Sequence, residues 1–91
     1  MSTIIDGQPQ TGTARILRLR RGPDVRIEIT SDPDYTARVD VSADDSRWVY
    51  GVDSNKIATL IDAFDGSTRV ENPQNPTWIC DVFFQLGVMW V

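Results

Sequence analysis

Ninety-one residues with a net charge of −4, no histidine and one cysteine bound what this chain can be. One domain of this length buries only about 60 to 65% of its unfolded surface, so nearly every large apolar residue is needed for a core. The missing histidine removes the commonest general base and metal ligand, and the lone Cys80 excludes an internal disulfide framework and a multi-cysteine metal site.

Residues 1–12 pair Ile4-Ile5 with Asp6-Gly7-Gln8-Pro9-Gln10-Thr11-Gly12, which follows neither a helical nor a strand period. They read as a mobile arm, leaving 13–91 as a single domain. From Thr13 the chain places Leu17 and Leu19 on one face before Gly22-Pro23-Asp24, a first hairpin strand. Two alternating stretches follow: Val25, Ile27 and Ile29, then Tyr35, Ala37, Val39 and Val41. Polar residues fill the positions between, and the connector Ser31-Asp32-Pro33-Asp34 has the chemistry of a turn. This is a half-buried antiparallel pair. After Asp44-Asp45, Trp48, Tyr50 and Val52 share one face of a fourth strand.

Asp53 reads as a helix N-cap, because Ile57, Leu60, Ile61 and Phe64 then recur near a 3.6-residue period until Asp65-Gly66. Asn72-Pro73 and Asn75-Pro76 mark a loop. The final run, Thr77 to Val91, fits both periods. Aromatic and β-branched content and Gly87 favour a strand with Trp78, Cys80, Val82, Phe84, Leu86, Val88 and Trp90 on one face. The alternative is a C-terminal helix behind Asn75 and Pro76, with Thr77, Asp81 and Gln85 as its polar stripe. The expected fold is α+β: an antiparallel four-stranded β-meander, one helix on its apolar face, and a C-terminal strand completing the core.

Candidate chemistry is sparse. Cys80 lies in the most apolar stretch and reads as a buried, structural thiol. Asp32 with Asp34, Asp44 with Asp45, and Asp62 with Asp65 each have a local backbone reason to be there. No calcium-loop spacing and no phosphate-cradling glycine loop occurs. No enzyme, metal or cofactor is therefore expected. Charge is uneven, +2 over residues 1–30 and −6 over 31–91. An acidic balance disfavours nucleic acid, Asp81 and the shortness of the last apolar run disfavour a membrane span, and the single cysteine without an apolar leader suggests a cytoplasmic setting. The expected function is a small acidic protein-binding module. It would inhibit or modulate a partner with a basic surface, in the manner of an immunity protein or a virus-encoded anti-defence protein, through Asp32, Asp34, Asp44 and Asp45. Trp90 is the candidate apolar anchor, and the alternative reading is a structural subunit of a homo-oligomer or particle joined through the C-terminal segment.

Overall fold

A computed structural model describes residues 13–90, with side chains over 14–88; the expected arm at 1–12 lies outside the described residues. Six antiparallel strands run in chain order across one sheet: β1 (Thr13–Leu17), β2 (Val25–Thr30), β3 (Ala37–Ala43), β4 (Ser46–Val52), β5 (Ile57–Asp65) and β6 (Thr68–Arg69). Helix α1 (Ile79–Leu86) follows, and β7 (Met89–Trp90) pairs in parallel with the start of β5. The fold is α+β with a meander sheet. It has more strands than the four expected.

The alternating residues set the register. Ile27 stands opposite Val41 and Ile29 opposite Val39, so the apolar sides of β2 and β3 face the same way. Trp48, Tyr50 and Val52 continue that face on β4. Val25, Ile27, Val39, Val41 and Tyr50 are all buried against α1 through Ile79, Val82 and Phe83. Two edge-to-face ring pairs fix the helix: Tyr50 against Phe83 at 4.8 Å and Trp48 against Trp78 at 5.2 Å. The Tyr50 hydroxyl donates to Asn75 Oδ1 at 2.7 Å, satisfying the phenol at the edge of an otherwise apolar core.

Two segments differ from expectation. The segment after Asp53 is strand β5, not a helix. Its register slips between Val49 and Tyr50 of β4, where Asp62 and Leu60 are the successive partners and Ile61 is the extra residue of a bulge. Inward positions therefore fall at Ala58, Leu60 and Ala63; of the residues that recur near a helical period, Leu60 faces the core, Ile61 sits in the bulge and Phe64 stands on the outer face opposite Arg47. Asp53 does cap backbone donors, but those of a hairpin: its Oδ1 accepts from Asn55 N at 2.8 Å and Ile57 N at 3.0 Å. Lys56 takes the left-handed conformation there, at φ 62°.

The second difference is α1, the alternative reading of the final run, which stands in place of the favoured C-terminal strand; among the described residues of that run only Met89–Trp90 is strand. Ile79, Val82, Phe83 and Leu86 stand at i, i+3, i+4 and i+7 and face the sheet. Gly87 at φ 71° closes the helix in the left-handed conformation. No helix among the described residues is long and apolar enough to cross a membrane.

Candidate functional site

The aspartates expected to meet a partner fall at opposite ends of the sheet. Asp32 and Asp34 lie in the β2–β3 connector, where Asp32 Oδ1 accepts the Asp34 N–H at 2.8 Å. Asp44 and Asp45 form the two-residue β3–β4 turn, with Asp44 at φ 53°. The seven-residue strand β3 separates the two groups by roughly 20 Å. They do not form one cluster. Asp34 does share a shallow surface cleft with Tyr35, Asp53 and Ser54 at the first of these ends. Trp90 has its backbone on β5 beside Ala58, and its side chain lies outside the described residues.

Cys80 is exposed, which corrects the expectation of a buried thiol. The helix explains it: Cys80 and Phe84 stand one turn apart on the side of α1 that faces away from the sheet. Phe84 is 82% exposed, while every other phenylalanine, tyrosine and tryptophan with a described side chain is buried or half-buried. A domain short of apolar material leaves a whole benzyl group in water here.

Beside this face lies the β1–β2 loop, residues 18–24, held down at three points. Gln85 Nε2 donates to the Arg18 carbonyl at 3.1 Å, and the Arg20 N–H donates to Asp81 Oδ2 at 2.8 Å. Gly22 passes so close to the start of the helix that a Cβ there would sit 3.0 Å from Trp78 Cβ. Two adjoining clefts result. Arg18, Arg20, Asp81, Phe84 and Gln85 line one; Arg20, Arg21, Thr77, Trp78, Cys80 and Asp81 line the other.

The arginines of this loop differ electrostatically from those of the strands. Arg18, Arg20 and Arg21 are exposed and make no ion pair among the described residues. They share an end of the sheet with Asp44 and Asp45, yet no ion pair links the two groups. On the outer sheet face, by contrast, Arg38 and Arg47 share Asp40, Arg69 pairs with Asp62, and Arg26 stands near Glu28. Asp62 also raises the Arg69 pKa above its ordinary value by hydrogen bonding and charge.

No group of three or more His, Cys, Asp or Glu residues among those described is placed to hold a metal ion. Compared with family models, curated proteins and solved structures, the chain matches none. The α1–loop face was missed by sequence reasoning because it needs the helix. Grouping Asp81 with Gln85 as a helical stripe was the one available signal, and both residues turn out to anchor the loop.

Proposed function

We propose that the protein is a small, non-enzymatic protein-binding module that modulates a partner, and that it docks through the α1–loop face. The single observation carrying this reading is Phe84: 82% exposed on a helix whose other side is packed, and flanked by arginines on a pinned loop. Aromatic and arginine side chains dominate the energetics of protein contacts, and a preorganised surface loses less entropy on binding. The non-enzymatic part draws support from the missing histidine and from carboxylates already engaged by backbone, as at Asp32, Asp53 and Asp81. A second reading, contact with a basic partner through the acidic turns, is favoured by Asp34 and Asp53 sharing one cleft.

Tagged protein used as bait in extract of the native host separates the readings. Proteins held by the parent chain should be lost from Phe84→Ser and kept by Asp32→Lys/Asp34→Lys and Asp44→Lys/Asp45→Lys. Loss from the lysine variants alone would move the contact to the aspartate turns. A mass that rises with concentration, with no heterologous partner retained, would instead favour the subunit role.

A further inference from the structure

The occupant of the α1–loop face can be specified by charge. Arg18 and Arg20 line the cleft that holds Phe84, and Arg20 and Arg21 line the one beside it; the only carboxylate in either lining is Asp81, which already accepts the Arg20 backbone N–H, and the loop carries one more, Asp24, at its far end. Local charge is therefore positive on a chain that is negative overall. Guanidinium groups bind carboxylates in a two-pronged geometry, and here they border an exposed ring. We infer that the face receives an acidic segment of a partner protein, its carboxylates on Arg18, Arg20 and Arg21 and an apolar side chain against Phe84. This rests on the protein-binding reading above.

A nucleic acid would also offer anions and stacking bases, but its affinity grows with the number of phosphates neutralised. Three arginines on one loop neutralise few. The turn bearing Asp44 and Asp45 lies at the same end of the sheet, where it would repel a polyanion extending past the loop. A short acidic segment fits within the basic area and stops before those turns. Because Asp81 and Gln85 hold the loop by its backbone, replacing the Arg20 or Arg21 side chain leaves the anchoring contacts in place.

The test is a titration of the ¹⁵N-labelled full chain with a blocked peptide carrying one leucine among glutamates and aspartates. The same peptide with lysines for the acids, and oligothymidylate, serve as comparators. Saturable shifts should appear at amides 18–22 and 80–85 with the acidic peptide and not with the lysine peptide. Affinity should fall about tenfold in Arg20→Ala/Arg21→Ala and in Phe84→Ser, with the spectra of both variants otherwise unchanged. Equal shifts from the lysine peptide, or none from the acidic one, would overturn the inference; saturation by oligothymidylate at lower concentration than the peptide would replace it with nucleic-acid binding. If the acidic peptide fails while Phe84→Ser still strips partners from the bait, only the partner's acidity is wrong. If Phe84→Ser strips nothing, the protein-binding reading falls with it.

Discussion

The outer face of the sheet and the α1–loop face are both exposed and both rich in arginine, yet they are built differently. Across the outer face the register aligns Arg26, Ser42, Arg47, Phe64 and Arg69 in one row and Glu28, Asp40, Val49 and Asp62 in the next. Each arginine of that face has an acid nearby, and Arg47 also lies 4.9 Å over the Phe64 ring. Val49, flanked by Asp40 and Asp62, is only 2% exposed although it points away from the core. The arginines Arg38, Arg47 and Arg69 gather on those two aspartates. On the α1–loop face the arginines make no ion pair among the described residues, and Phe84 is exposed. Arginine content alone does not tell the two faces apart; arginines outside ion pairs among the described residues, beside an uncovered ring, do.

The largest expected effect sharpens this contrast within the helix. Phe83 is fully buried against Tyr50, so Phe83→Ala should cost about 3 to 5 kcal/mol in a denaturant melt. Phe84→Ala, one residue on, should change stability by less than about 0.5 kcal/mol. Comparable losses would mean that Phe84 supports the fold and is not reserved for a partner.

Tyr50 comes next. Burial pushes its pKa well above the ordinary value, so the folded state keeps a proton that the unfolded chain releases above about pH 10. The stability Tyr50 contributes is fully present below that pH and declines above it, by about 1.4 kcal/mol per pH unit. Tyr50→Phe should remove that part of the alkaline slope and cost about 1 kcal/mol at neutral pH, for the hydrogen bond to Asn75. Melts at neutral and alkaline pH check both effects.

The contrast was only partly legible in the sequence. Strands β2, β3 and β4 could be read because Val25, Ile27, Val39, Val41, Tyr50 and Val52 alternate strictly, and one sheet face is buried. β5 could not, because the bulge at Ile61 breaks the period, although Ile57, Thr59 and Ile61 are all β-branched and favour a strand. α1 was legible only as the alternative to a strand: Asp81 and Gln85 mark a polar stripe, but the outward positions Cys80 and Phe84 add to the apolar, aromatic run that favours a strand. The residues that weigh toward a strand are the ones on the helix's exposed side.

Among ion pairs, Asp40→Ala should cost at most about 1 kcal/mol, shrinking with added salt, since that carboxylate serves both Arg38 and Arg47. Arg20→Ala/Arg21→Ala should leave the melt within about 0.5 kcal/mol of the parent. A larger loss from the loop pair would show that its arginines are as engaged as those of the outer face.

Cys80, exposed and one turn from Phe84, gives the most direct test. A thiol-specific photo-crosslinker attached there to the native protein should form an adduct of defined mass in host extract. That adduct should disappear in Phe84→Ser, and should not form when the crosslinker is carried by Asn55→Cys in a Cys80→Ser background. Adducts that persist without Phe84, or form equally from position 55 at the other end of the sheet, would contradict the assignment of the contact to α1.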